Sequence, residues 1–373
     1  MRTGPDSEKE KNNRTLFLMV AAFLMLVVFS MCVRTGRPEL ISPVQVLRNL
    51  QLWVRLTAAD LLNYPLQLKK QQLIEQTPYY LETISRFRNL LMTMICGAVI
   101  AAGGAVFQIV FQNPMATPHM LGTGSGISLG LLVLVLQYSV NAYSMILRRY
   151  VYCLGFAFLM LILVILMGKF AGKNRTSVTD MLLGGALLSQ MLGVLMMYIR
   201  FHMDQDTLII LQDLTLYGFS MNNTYDNAFR GILILISISA VCLFPLALMR
   251  FSFDAMSFGN EESRALGFHI PVIRIICIIS VTMMVTTATL YCGNIGVLSL
   301  AVPHICRHFT GNRFRDVLGG CLFFGAFMLL ICRTITSFIY LDGMGFFPLA
   351  TMTGLIMSPI LALVLMQSRR GWE

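Results

Sequence analysis

Charged residues are scarce in this 373-residue chain: Asp, Glu, Lys and Arg make up 12% of it, and only 18 residues are acidic. Soluble domains carry roughly twice that density of charge, so an ordinary water-soluble globule is excluded. Histidine is rare, with 5 residues, and the nine cysteines form no C-x-x-C pair. Thioredoxin-like and zinc-ribbon chemistry and a disulfide framework are thereby set aside. Six of those cysteines (Cys32, Cys96, Cys153, Cys242, Cys277, Cys332) lie in apolar segments, as packing residues do. No Gly-Lys-Ser/Thr follows the glycine-rich "GTGSG" at 122–126 and no strand signal precedes it, so the chain has no phosphate loop of its own.

Apolar residues are abundant instead, at 56% of the chain, with a mean hydropathy of +0.72. Crossing the hydrocarbon core as a helix takes about 18 or more apolar residues. Such runs fall near 16–33, 90–111, 120–140, 150–167, 181–199, 231–249, 272–292, 317–340 and 346–366. A shorter run, 295–309, is interrupted by Pro303 and His304. The sequence therefore predicts an all-α, polytopic membrane protein of ten transmembrane helices with both termini on one side.

Lys and Arg in short loops favour the cytoplasm. With the N-terminus inside, that side collects Arg2, Lys9, Lys11, Arg14, Lys169, Lys173, Arg175, Arg250, Arg264, Arg274, Arg307, Arg313, Arg315, Arg369 and Arg370. The short outer loops hold Arg148, Arg149, Arg200, Arg230 and Arg333. The net charge of +10 is mostly this topology signal, and no nucleic-acid partner follows from it. Lipid is the implied surroundings, and both termini are expected in the cytoplasm.

Four regions follow. Residues 1–14 form a polar cytosolic tail, and 15–33 a first helix that is retained, since it is long and lacks a small-x-small cleavage pattern. Residues 34–85 form an extracytoplasmic segment with helix-like apolar spacing broken at Pro65, which suits amphipathic helices on the outer surface. Residues 86–373 form the core, with nine further membrane segments. Within it, 205–227 is too short and polar to span and reads as a half-helix dipping into the bundle. The 26 methionines read as flexible core filler.

Three motifs carry chemistry. In "GAVIAAGGAVFQIVFQNPMATPHMLG", Gly97, Gly103 and Gly104 permit close helix contact, as does Gly122-x-x-x-Gly126-x-x-x-Gly130. Pro114, beside Gln108 and Asn113, stops a helix and frees backbone groups, as breaks lining transport paths do. The second motif is "FGNEESRALGFHIP", 258–271, and the third is "GNIGVLSLAVPHICRHFTGNRFR", 293–315. His304 and His308, four apart with Cys306 between, also have the spacing of metal ligands on a helix, but no third ligand is near in sequence.

The first motif resembles the G-A-x-x-A-x-x-G-x-x-x-Q-x-x-x-x-N-P-L-A-x-P-x-x-L-G signature of the FecCD-type permeases of ABC importers for vitamin B12, ferric siderophores and haem. The second is similar to their G-E-x-x-A-x-x-L-G coupling motif, and the third to their P-H-x-x-R segment. The resemblance runs from about Arg86 to the C-terminus, with the motifs in the family's order. It implies a type II importer fold like that of the vitamin B12 permease, with a coupling loop at about 255–270.

The resemblance also implies roles. Glu261, Glu262, Arg264, Ala265, Leu266 and Gly267 would dock an ABC ATPase, two copies of which would hold the ATP and magnesium. This chain would bind no cofactor and would not be an enzyme. Gln108, Asn113, Pro114 and Met115, with Asp204 and Gln205 more loosely placed, would form the path and gate. Pro303, His304 and Arg307 would be structural on the cytosolic side. An extracytoplasmic binding protein would meet Arg86 and Arg88, although the stretch reads Arg-Phe-Arg-Asn where the family has Arg-Leu-Pro-Arg. A second permease copy, the inner membrane of a prokaryotic cell, and an iron chelate or cobalamin as cargo complete the expectation. The competing class is a secondary transporter driven by an ion gradient, which would need carboxylates or histidines inside its spans.

Overall fold

The computed structural model describes residues 25–29, 31, 33, 41–61, 77–138, 146–171, 178–218, 225–311, 313–341 and 345–370. The tail 1–14 and most of the first apolar run lie outside them; residues 25–29, 31 and 33 of that run are helical. The architecture is all-α. Its helices are α1 (Pro43–Leu61), α2 (Tyr80–Val110), α3 (Thr123–Tyr138), α4 (Ile146–Ala171), α5 (Val178–Phe201), α6 (Gln205–Leu216) and α7 (Tyr225–Leu248). There follow α8 (Arg250–Met256), α9 (Asn260–Ala265), α10 (Ile270–Cys292), α11 (Val297–Thr310), α12 (Phe314–Phe338) and α13 (Leu349–Arg370). A two-residue antiparallel pair, Tyr340–Leu341 with Gly345–Phe346, joins the last two helices.

Among the described residues six helices are long and apolar enough to cross a membrane: α2, α4, α5, α7, α10 and α12. Two shorter apolar helices, α3 and the Leu349–Leu363 part of α13, join them. The run at 295–309 becomes α11, whose 14 residues rise only about 21 Å, short of the roughly 30 Å hydrocarbon core.

Local chemistry sets the ends. Ser42 and Gln45 cap α1 reciprocally: Gln45 N donates to Ser42 Oγ and Ser42 N donates to Gln45 Oε1, both at 3.3 Å, with Pro43 at the first helical position. Helix α1 then lies against the start of α2. Asn49 Nδ2 donates to Thr83 Oγ1 at 2.9 Å, the Trp53 ring sits 6.2 Å from Phe87, and Leu56 packs with Tyr80 and Ile84. The first turn of α12 is capped from a distance, since Phe314 N donates to Asp254 Oδ1 on α8 at 2.7 Å.

Helix α2 is the axis of the core, packed by α10, α11 and α12. Lipid offers helices no hydrophobic drive to associate, so close van der Waals contact must hold them. Small residues supply it. A Cβ added at Gly97 would lie 2.3 Å from the Gly325 carbonyl oxygen, and one at Gly104 would lie 1.8 Å from that of Ser299. Gly126 and Gly130 give α3 the same approach to α4 at Phe156–Ala157 and Tyr152–Cys153. The short α6 follows α5 and ends against α10, where Gly293 meets the Leu216 carbonyl.

Candidate functional site at one end of the bundle

The Gln-Asn-Pro stretch explains itself once its backbone bonds are traced. Gln112 N donates to Ile109 O at 3.0 Å and Asn113 N to Gln108 O at 3.1 Å, the paired bonds that close a helix on a left-handed residue. That residue is Gln112, with φ of 48°, where glycine is the usual occupant. Asn113 then turns the chain, its Oδ1 accepting from Met115 N at 2.9 Å and its carbonyl from Ala116 N at 3.0 Å. Pro114 has no N–H to leave unpaired. A short 3₁₀ turn, Pro118–Leu121, leads to Gly122 in the left-handed region and into α3.

The third sequence motif meets the first here. His304 and Arg307, three apart, share a face of α11. The His304 Nε2 donates to the Pro114 carbonyl at 3.1 Å. Arg307 Nη1 donates to Gln108 Oε1, and Gln108 Nε2 donates to Leu300 O at 3.3 Å. The Gln108 carboxamide, 3% exposed, thus has both of its ends satisfied. Met115, 40% exposed, stands out from the turn.

The second motif closes the site. Helices α8 and α9 follow α7, joined at Gly259, where φ is 132° and a Cβ would strike the Glu262 carboxylate. Ser263 is buried and donates through Oγ to Gly259 O at 2.7 Å, while Glu261 and Arg264 pair at 3.2 Å in solvent. Phe258 and Leu266 are 77% and 67% exposed, and Gly267 ends the segment in the left-handed region. Gln112 Nε2 donates to Met256 O at 3.1 Å, and Asn260 Nδ2 donates to Gln112 Oε1 at 3.0 Å. A cavity of about 370 Å³ lies among Gln108, Gln112, Asn113, Met256, Phe258 and Arg307.

The structure therefore assembles Gln108, Asn113, Pro114 and Met115 with Pro303, His304 and Arg307, beside the loop bearing Glu261, Glu262, Arg264, Ala265, Leu266 and Gly267. Asp204 and Gln205 are not brought to this cluster. The turn at Met120–Gly122 packs on α5 at Gly185 and Ser189, and Asp204 follows the far end of that helix, about 18–24 Å further along its axis. There Asp204 caps α6, accepting from Thr207 N at 3.0 Å and Thr207 Oγ1 at 2.8 Å. Those bonds, the backbone one first, hold its carboxyl below the usual range.

Arg86 and Arg88 are not offered to solvent either. Arg86 pairs with Glu82 one turn back, and Arg88 is 9% exposed. The physical reason is that α1 and the helical residues near Val33 cover this end of α2. His304, Cys306 and His308 do not converge: His304 reaches Pro114, whereas Cys306 lies against Gly320 of α12. Among the described residues no three His, Cys, Asp or Glu side chains gather as metal ligands. Sequence reasoning missed Gln112, Asn260 and Asp254. Only Gln112 left a signal, a bulky residue at a helix end where glycine costs less.

Stacked apolar helices, broken by a polar turn that touches an exposed loop, define an integral membrane protein. Residues 52–367 match the FecCD transport family, and the chain belongs to it. A probable iron chelatin transport system permease protein of Helicobacter pylori is 27% identical over 68% of this chain and 74% of its own. The vitamin B12 import system permease protein BtuC of Citrobacter koseri is 26% identical over 76% of this chain and 82% of its own. The molybdate import system permease protein MolB of Haemophilus influenzae is 24% identical over 96% and 95%. The fold is that of a solved structure described as an inward-facing metal-chelate type ABC transporter, with a TM-score of 0.71, 21% identity, and coverage of 94% of this chain and 99% of that one.

Proposed function

We infer that this chain is the permease subunit of an ATP-driven importer in a prokaryotic inner membrane, working as a ten-helix protomer of a dimer. Its cargo is an iron chelate or cobalamin handed over by an extracytoplasmic binding protein. Both termini face the cytoplasm, and so does the Asn113 end of the bundle. Two copies of a separate ATPase hold the nucleotide and magnesium. The observation that carries this reading is the contact between the exposed α8–α9 segment and the turn at Gln112–Met115, which joins a docking surface to a gate.

Phe258 and Leu266 supply apolar docking area on the ATPase, and Glu261, Glu262 and Arg264 supply register. Gly259 and Gly267 frame α9, so it is a unit that an ATPase groove can grip. Displacing it pulls on the turn that carries Asn113 and Met115. A gradient-driven carrier is less well supported. The six long apolar stretches hold carboxylates only at Glu82, Asp180 and Asp316, each in a first turn. A second reading of the cargo, an oxyanion, is favoured by the molybdate relative that aligns over nearly the whole chain.

The test is Leu266→Asp. A charge placed on the docking knob is expected to release the ATPase, or to leave hydrolysis without uptake, while the bundle still elutes as a folded species. Full ATPase retention and full uptake in that variant would sink the coupling assignment. Purification of the tagged wild type from its host, with mass spectrometry and an absorption spectrum, reads the cargo. A corrinoid or haem band or bound iron supports a chelate, and molybdenum by elemental analysis supports the oxyanion.

A further inference from the structure

Gln112 stands in a position that the Q-x-x-x-x-N-P signature leaves open, yet its side chain is the most connected feature of the turn. Its carboxamide spans a joint. Met256, whose carbonyl it reaches at 3.1 Å, is the last residue of α8, and Asn260, from which it accepts at 3.0 Å, is the first residue of α9. The backbone beside it is the gate turn, since Asn113 follows directly and holds Met115 through its own side chain.

The conformation gives a second, independent reason to look here. Gln112 has φ of 48°, in the left-handed region that glycine tolerates and a side chain resists. Closure of α2 through Ile109 O and Gln108 O needs only a backbone in that shape, and glycine would supply it with less strain. The side chain therefore serves something other than ending the helix. Both of its bonds go to the α8–α9 joint and none to α2.

We propose that Gln112 is the clamp through which movement of the coupling segment reaches the gate: a positioning residue, which touches neither cargo nor nucleotide. The inference rests on the importer reading above. Opening the angle between α8 and α9 cannot occur with both hydrogen bonds intact unless Gln112 moves with the joint. Because Gln112 is a rigid neighbour of Asn113, the turn moves too. The Gly259 backbone, at φ of 132° between the two helices, is where that angle changes.

The experiment uses the full complex with its ATPase in nanodiscs and needs no cargo. A Met115→Cys substitution places a thiol on the turn, and its labelling rate by a bulky maleimide is followed with and without ATP plus vanadate, alongside ATP hydrolysis. The eight described native cysteines are all buried, and an unsubstituted control gives the background. Nucleotide is expected to change the labelling rate at least about fivefold, the low end of ordinary coupling between sites. Adding Gln112→Gly should abolish that response while hydrolysis continues. Since glycine relaxes the turn, misfolding does not account for the loss. Asn260→Ala should act in the same direction, and the double variant should be no worse than Gln112→Gly, as for two members of one contact.

A full response in the Gln112→Gly background overturns the clamp and leaves the importer reading standing. If the Met115→Cys parent hydrolyses ATP without any labelling change, the gate assignment falls and the clamp with it. If no ATPase associates at all, the importer reading itself falls.

Discussion

Helices α2 and α5 are both apolar and both long enough to span, yet 78% of the apolar stretch of α2 is buried against 17% for α5. Hydropathy does not distinguish them, because both faces of a membrane helix meet an apolar neighbour. Side-chain size does. Helix α2 puts Gly97, Ala101 and Gly104 where other backbones cross, and α5 shows Leu187, Met191, Val194 and Tyr198 on its open side. The buried helix ends in the polar turn; the exposed one keeps an open apolar face. In lipid, small residues mark the scaffold and large ones mark the rim.

The contrast breaks most visibly if glycines are filled. Gly104→Ala is expected to cost about 3 kcal/mol, the upper range of overpacking, because the Ser299 carbonyl backbone has nowhere to go. Fluorescence-detected size exclusion should show loss of the folded peak. Next in size, Arg307→Met on α11, beside the end of α2, leaves the Gln108 Oε1 without its charged donor, a loss of about 2 kcal/mol for a buried acceptor. Thermal denaturation in detergent would read it, and an unchanged melting point would show that another group satisfies Gln108.

On α5 the same chemistry reverses sign. Gly193 has nothing within 4 Å of an added Cβ, so Gly193→Ala should stabilise by about 0.5 kcal/mol through helix propensity alone. If that variant instead destabilises the dimer while leaving the monomer unaffected, the open face of α5 is the face that a second copy covers. The smallest effect is at the far end of α5. The folded carboxyl of Asp204 is held low by Thr207, so its contribution is complete above the ordinary carboxylate range and fades as pH falls through the depressed value. Asp204→Ala should lower the melting temperature slightly at neutral pH and remove that acid dependence, which a melting series from pH 7 to about pH 3 would follow.

Much of this was legible before any coordinates. Glycine spacing announced the close crossings, Pro114 announced the break, and the order of three motifs announced the family. The order could not say that motifs about 150–190 residues apart share hydrogen bonds, as His304 with Pro114 and Asn260 with Gln112 do. Asp254 gave no warning because its partner, the Phe314 amide, is a backbone group that any residue would present. Arg86 and Arg88 are covered for a reason their own motif does not carry: exposure depends on what lies above them, and α1 is fixed there by Asn49 on Thr83 and Trp53 on Phe87. Asp204 stands apart from the Asn113 turn for a simpler reason. A helix of 24 residues separates its two ends by the thickness of a membrane, and motif distance in sequence carries no such ruler.

The cap that Asp254 places on Phe314 ties α8 to α12; α12 crosses α2 at Gly97 and Gly325; and α2 returns through Gln112 to the end of α8. These three connections form a closed chain of rigid bars. In such a linkage no single bar can turn while the rest stay still, so α8 belongs to the frame. Helix α9 hangs from the same joint through Asn260, so a pull on it is shared around the whole circuit instead of being absorbed in a loose loop.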